Sequence, residues 1–233
     1  MTSYKIPGLV CAASISLTAT AGAADLPPLQ LPPLRSSPQM QELFSSWYLR
    51  LDGGYRSNDF SGGSVLGNPI RSVNAQETGT IGGGFGFKWN WLRADLTLDY
   101  GGQQKYSAVT AAGSPDITQN LQNITTLVNG YLDLGTWWGF TPYVGGGFGY
   151  THIRASDFMR GGVPFTINNS SWNFTWAGMA GLSYTVSPNF LIDASYRYVD
   201  FGDVVTTPQS LGDVKDGHWT ANEFRIGLRY LIP

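Results

Sequence analysis

His218-Trp219-Thr220-Ala221-Asn222-Glu223-Phe224-Arg225-Ile226-Gly227-Leu228-Arg229-Tyr230-Leu231-Ile232 is the run on which the fold turns. Phe224, Ile226, Leu228, Tyr230 and Ile232 occupy even positions, and Glu223, Arg225, Gly227 and Arg229 the odd positions between them. A period of two marks an extended strand, because successive side chains leave opposite faces of the pleat. One face is therefore apolar and the other charged. Soluble sheets carry the same alternation, so the rest of the chain decides the setting of this strand.

Seven further runs alternate in the same way. Trp47, Leu49, Leu51, Gly53 and Tyr55 oppose Arg50, Asp52 and Arg56, and Ile81, Gly83, Phe85, Phe87 and Trp89 oppose Gly82, Gly84, Gly86 and Lys88. Leu92 to Tyr100 sets leucines against Arg93, Asp95 and Asp99, Ile124 to Leu134 faces away from Asn129 and Asp133, and Val144 to Tyr150 interleaves with glycines. Trp172 to Val186 alternates aromatics with Asn173, Thr175 and Ser183, and Phe190 to Tyr198 opposes Asp193 and Arg197. None of the eight apolar faces carries an Asp, Glu, Lys or Arg within these runs.

That segregation points to lipid. Arg or Lys at mid-bilayer on a barrel's outer face costs roughly 2–4 kcal/mol. With the apolar faces outward, the interior collects Arg50, Arg56, Lys88, Arg93, Arg197, Arg225 and Arg229 against Asp52, Asp95, Asp99, Asp133, Asp193 and Glu223. Seven cations against six anions nearly balance, as charges removed from bulk water must. Closure of the last strand onto the first then predicts Glu223 near Arg56, and the hairpin before it Asp193 near Arg229. The expected fold is all-β: an eight-stranded antiparallel up-and-down transmembrane barrel. The connections 57–77, 101–120, 154–171 and 202–218 are each roughly 20 residues long and the others are short. Short periplasmic turns and four long extracellular loops follow, with both termini in the periplasm.

The ends and the composition fit this setting. Residues 1–23, with Lys5, a modestly apolar run and Ala21-Gly22-Ala23-Ala24, read as a signal peptide that is cleaved on export. Residues 24–46 hold Leu26-Pro27-Pro28-Leu29 and Leu31-Pro32-Pro33-Leu34, a Pro-rich periplasmic spacer, and 47–233 form the barrel. Cys11 is the only cysteine, so the mature chain has no disulfide and no cysteine metal site. Charged residues make up 13% of the chain, against 30 glycines, 12 tyrosines and 8 tryptophans. Without Lys5 the balance is 13 basic to 16 acidic, a net −3 that gives nucleic acid nothing to bind.

The glycine runs Ile81 to Phe87 and Val144 to Tyr150 look superficially like phosphate loops, but no helix follows either. Inward glycines instead leave room for arginines of other strands. An eight-stranded barrel has an interior about wide enough for side chains to fill, so the lumen is expected to be plugged rather than conductive. His152 and His218 lie near the loop ends and are the candidates for a haem site or a catalytic base. The outer-membrane lipid A deacylases set a His and a Ser at short spacing, and Thr151-His152-Ile153-Arg154 lacks that arrangement. No enzyme activity, metal or cofactor is expected.

Ala24-Asp25-Leu26-Pro27, Asn129-Gly130-Tyr131-Leu132-Asp133-Leu134-Gly135-Thr136, Thr141-Pro142-Tyr143-Val144-Gly145-Gly146-Gly147 and Gly227-Leu228-Arg229-Tyr230 carry a family likeness. From Trp47 to Ile232 the chain resembles the small OmpA-like outer-membrane barrels of alphaproteobacteria, among them rhizobial and brucella major outer-membrane proteins and bartonella haemin-binding proteins. Arg225, Gly227, Tyr230 and Ile232 resemble the signal read by the outer-membrane assembly machinery, although the chain closes Leu231-Ile232-Pro233 instead of on an aromatic residue. The resemblance implies a structural, envelope-stabilising protein of the cell outer membrane. Its partners would be outer-membrane lipid, lipopolysaccharide and an extracellular ligand at the loops. The alternative is a surface haemin- or ligand-binding protein, or a narrow porin-like channel.

Overall fold

A computed structural model describes residues 45–65, 68–110, 117–160, 163–165, 169–204, 214–215 and 217–233. The signal peptide and nearly all of the Pro-rich spacer lie outside the described residues. Ser45 and Ser46, assigned above to the spacer, already belong to the first strand.

In chain order the strands are β1 (Ser45–Ser61), β2 (Ser64–Val65), β3 (Asn68–Ala75), β4 (Thr78–Trp89), β5 (Leu92–Thr110), β6 (Ile117–Asp133), β7 (Phe140–Arg160), β8 (Val163–Phe165), β9 (Asn169–Thr185), β10 (Phe190–Val204), β11 (Val214–Lys215) and β12 (Gly217–Leu231). Eight of them are staves of a closed antiparallel barrel, each hydrogen-bonded to the next: β1, β4, β5, β6, β7, β9, β10, β12 and back to β1. The short strands β2, β3, β8 and β11 extend the hairpins at the extracellular end.

The stagger of the barrel can be followed from pair to pair. Leu49 leads to Phe85, Leu96, Val128, Phe148, Trp176, Asp200 and Thr220, and the trail re-enters β1 at Asp59, ten residues beyond its start. A shear of ten over eight strands, with about 3.3 Å per residue and 4.8 Å between strands, tilts the staves by about 40°. Tilt of that size leaves an interior that side chains can span.

Local chemistry closes the periplasmic turns. Asn90 adopts φ 55° between β4 and β5, and Trp138 and Gly139 adopt φ 51° and 85° between β6 and β7. Two-residue hairpins favour a left-handed pair such as Trp138–Gly139 because its twist matches the strands, whereas in the Asn90–Trp91 turn only the first residue is left-handed.

The outward faces are those read from the sequence. Leu51, Ile81, Leu98, Phe148, Phe174 and Ile226 are exposed on the barrel wall, although they are large and apolar. Aromatics ring the wall at both ends, with Trp47, Trp89, Trp91, Phe190 and Tyr230 below and Tyr55, Tyr100, Tyr150 and Trp172 above. The four long connections differ from the expectation in one respect. β1 runs on to Ser61, β5 to Thr110, β7 to Arg160 and β10 to Val204, so the sheet continues well into them. Backbone pairing persists there after the lipid-imposed segregation of side chains has ended.

Candidate functional site

All thirteen inward charges are ion-paired. At the periplasmic end, Lys88 Nζ and Arg93 Nε share the carboxylate of Asp133 at 3.1 and 2.8 Å. The Arg93 guanidinium lies between two rings, 4.7 Å from Tyr131 and 4.6 Å from Tyr143. Beside it Arg229 Nη2 meets Asp193 Oδ1 at 2.6 Å, and Ser183 bonds both partners.

Higher up, Asp95 is the hub. It accepts from Arg50 Nη1 and Tyr48 Oη, each at 3.0 Å, and from Asn129 Nδ2 at 2.8 Å. Arg50 Nε also donates to Asp52 at 3.1 Å. Above that sits the densest cluster. Arg225 contacts Asp52, Asp99 and Glu223, while Arg197 reaches Asp99 at 2.8 Å and Glu223 at 2.6 Å. Arg56 Nε donates to Glu223 Oε1 at 2.5 Å and Arg56 Nη1 to Asn123 at 2.9 Å. Asp99 belongs to β5 and Arg225 to β12, so their 2.6 Å contact spans the lumen.

Glycine makes these reaches feasible. A Cβ at Gly82 would collide with the Asp99 carboxylate and with Arg225 Nη2. At the other inward glycines the space goes mainly to residues other than arginine: Tyr48 lies over Gly86, Tyr131 over Gly145, Asn129 over Gly147 and Tyr143 over Gly181.

Towards its extracellular end the lumen is filled mainly by apolar side chains, with Gln104 and Gln119 buried opposite Leu121 and Tyr106. Phe60, Tyr106, Leu121, Leu127, Ile153, Val199, Phe201 and Trp219 form one buried cluster, with Trp219 stacked on Phe201 at 4.2 Å and on Phe60 at 5.3 Å. Thr125, Thr151 and Thr175 form a row of hydroxyls at 2.9 and 2.7 Å on the β6, β7 and β9 side, and Arg56 packs directly against the cap, its guanidinium 5.1 Å from the Phe201 ring. Sequence reasoning placed Tyr143 on the inward face but passed over the cap and the lumen tyrosines Tyr48 and Tyr131. Parity was the available signal: Tyr48 precedes Arg50 by two and Tyr131 precedes Asp133 by two, while Trp219 and Phe60 share the faces of Glu223 and Arg56.

Of the four residues that resemble an assembly signal, three lie on β12 and divide between its faces. Arg225 and Gly227 point inward, Gly227 lying against Asp52, whereas Tyr230 is on the wall and packs on Phe190 at 4.9 Å. Ile232 follows the strand, and its N–H donates to the Trp47 carbonyl at 2.8 Å. Both histidines sit at the extracellular rim, on different staves. His152 lies beside Trp172 with ring centroids 4.6 Å apart, and its Nε2 accepts from Arg154 at 3.2 Å. His218 is held by Asp200 and Asp203. No cluster of three or more His, Cys, Asp or Glu suited to a metal occurs among the described residues.

A closed eight-stave barrel with an apolar wall, paired charges inside and aromatic rings at both ends is the architecture of an integral outer-membrane protein. The chain matches the Outer membrane protein beta-barrel domain family over residues 9–230 and belongs to it. It is 28% identical to the outer membrane protein PagN of Salmonella typhimurium over 174 residues, covering 65% of this chain and 73% of PagN. An uncharacterized protein of Brucella abortus is 30% identical over 228 residues, covering 82% of this chain and 79% of the relative. A candidate adhesin of Rickettsia bellii is 32% identical over 203 residues, or 80% and 88% of the two chains. The crystal structure of neisserial surface protein A shares the fold, with a TM-score of 0.52 at 21% identity over 81% of this chain and 99% of that one. The protein is therefore a surface-exposed barrel of the cell outer membrane.

Proposed function

We propose that this protein is a sealed, non-enzymatic barrel that stabilises the outer membrane and holds its extended hairpins outside the cell. The observation that carries this reading is the filled lumen, where Arg225 and Arg197 cross to Asp99 beneath the Phe60, Phe201 and Trp219 cap. An ion crossing the barrel would have to break buried pairs and then enter an apolar layer, which is costly on both counts. Planar-bilayer recording of the refolded protein tests it. No stable openings are expected, and reproducible ohmic steps would overturn the sealed barrel.

Residues 1–23 act in this reading as the export signal and 24–44 as a periplasmic spacer, with Arg225, Gly227, Tyr230 and Ile232 presented to the assembly machinery. N-terminal sequencing of the membrane-inserted protein checks the cleavage.

A second reading is favoured by the names of two relatives, the outer membrane protein PagN and the Rickettsia candidate adhesin. The hairpins would then bind a ligand on another cell, and the barrel would serve as their rigid base. The haemin variant of this idea has less support. His152 and His218 are on β7 and β12, three inter-strand spacings or roughly 14 Å apart, and both ring nitrogens of His218 are engaged. Haemin titration of the refolded barrel should give no Soret shift that depends on either histidine.

A further inference from the structure

The rim around His218 has been built for a particular protonation state. Along β10, Val199 and Phe201 point into the lumen and Asp200 points out. Regular alternation would then turn Asp203 inward, towards the apolar cap. A bulge between Asp200 and Gly202, with Gly202 at φ 73°, inserts one residue and reverses the phase. Val204 becomes buried, and Asp203 emerges on the outer face opposite His218. The same bulge pins Asp200, whose Oδ1 accepts the Gly202 N–H at 2.9 Å.

The two carboxylates take the two ring nitrogens. His218 Nδ1 lies 3.0 Å from Asp203 Oδ1 and Nε2 lies 3.1 Å from Asp200 Oδ2. A neutral imidazole has one N–H and one lone pair, so it can satisfy only one carboxylate and must repel the other. Both contacts are attractive only for the imidazolium. A metal ion is not a substitute, because the carboxylates approach opposite edges of the ring and cannot converge with one nitrogen on a single ion. From the other flank β1 presents Ser61 directly and the exposed Asp59 opposite Thr220. The nearest cation along the chain is Lys215. Two carboxylates thus bracket the ring, with Asp59 further along the same face, and the hydrogen bond to Asp203, followed by that to Asp200, holds the His218 pKa above its ordinary value.

The position gives this charge something to control. Gly217, at φ 106°, is where the chain passes from β11 into β12, and a Cβ there would lie 2.5 Å from the Ser61 carbonyl. β11 pairs with β2 of the first hairpin, Lys215 opposite Ser64. The first and fourth extracellular hairpins therefore meet directly above the seam between β1 and β12, and His218 is the last side chain below that junction. We propose that Asp200, His218 and Asp203 form a proton-operated clasp that holds β10 and β12, the two arms of the fourth hairpin, together beneath its junction with the first and so steadies that junction, closed while the imidazole is charged and released when it loses its proton.

A raised histidine pKa means that the clasp is present at low pH and lost as pH climbs through that pKa, above 6.5. Spin labels at Ser64→Cys and Lys215→Cys, in the full chain carrying Cys11→Ser and refolded into detergent, report the junction by pulsed electron resonance. A narrow distance distribution at pH 5.5 that broadens by pH 8.5, with a midpoint above 6.5, is expected. His218→Gln should give the same distribution at both pH values, and Asp203→Asn should lower the midpoint. The retained mobility difference between boiled and unboiled samples on gels shows that each variant still folds. A distribution unchanged between pH 5.5 and 8.5 would overturn the clasp, as would a pH response that survives His218→Gln.

Discussion

Replacing Glu223 with Gln tests the charge accounting of the lumen most directly. Glu223 is fully buried and accepts from three guanidiniums, those of Arg56, Arg197 and Arg225. Around it three cations face three anions: Arg56, Arg197 and Arg225 against Asp52, Asp99 and Glu223. Gln keeps the shape but leaves three cations on two carboxylates. Arg56 loses most, since its other hydrogen-bond acceptor is the neutral Asn123. Stranding one partner of a buried pair costs about 3–5 kcal/mol. Adding Arg56→Met removes the stranded charge and restores two against two, so the double variant should recover about 2 kcal/mol or more of that loss. Urea titrations of the barrel in lipid vesicles, read as the ratio of folded to unfolded gel bands, measure all three variants. If the double variant lost the sum of the two single losses, the charges would be acting independently and the argument from balance would be wrong.

Three other outcomes follow from the same geometry. Ile226→Arg, on the exposed middle of the lipid face of β12, should cost roughly 2–4 kcal/mol in vesicles, whereas Thr220→Arg on the same face beyond the outer aromatic ring should cost well under half as much; equal losses would remove the lipid-facing assignment. Gly82→Ala should lower urea stability by about 1–3 kcal/mol by driving Asp99 and Arg225 apart. Gly130→Ala, where a Cβ meets nothing within 4 Å, should instead be neutral or gain about 0.4–1 kcal/mol, and a matching loss at both sites would show that lumen crowding is not the cause.

The staves were legible because lipid imposes a rule that a single sequence can display: one parity apolar, the other free to carry charge. The rule holds along β12 from Glu223 to Tyr230 and lapses at Asn222, where the strand leaves the apolar zone. Above that level both parities carry polar and apolar residues, and the sheet extensions to Ser61, Thr110 and Arg160 were read as loops. Parity also told which face a charge occupies, but not which partner it meets. The Asp99–Arg225 contact joins staves three apart in the ring and depends on the shear, which no local pattern encodes. The bulge at Asp200 was hidden for a related reason. Asp203 shares the parity of the inward Val199 and Phe201, but at this level both parities mix polar and apolar residues, so the phase change stands out only once the pairing with Thr220, Trp219 and His218 is known.

The charged lumen also answers a question of register that the apolar faces leave open. Sliding β12 along β1 by one residue would turn its apolar face inward, which burial forbids, but sliding it by two keeps every side chain on its proper face. Lipid cannot discriminate between those registers. The charges can, because in the observed pairing Arg56 lies opposite Glu223 and Asp52 opposite Gly227, leaving Arg225 beside Gly54. A two-residue slip in one direction sets Arg56 against Arg225 and in the other sets it against Ala221, so the buried guanidinium meets a like charge or no partner at all. Either loss is of the size that buried charges command, several kcal/mol, and the slip would have to be absorbed in the shear of the whole barrel. The two pairs across the seam, Arg56 with Glu223 and Arg225 with Asp52, therefore act as the register marks of closure. A lumen packed with leucine could fill the same space without making that distinction.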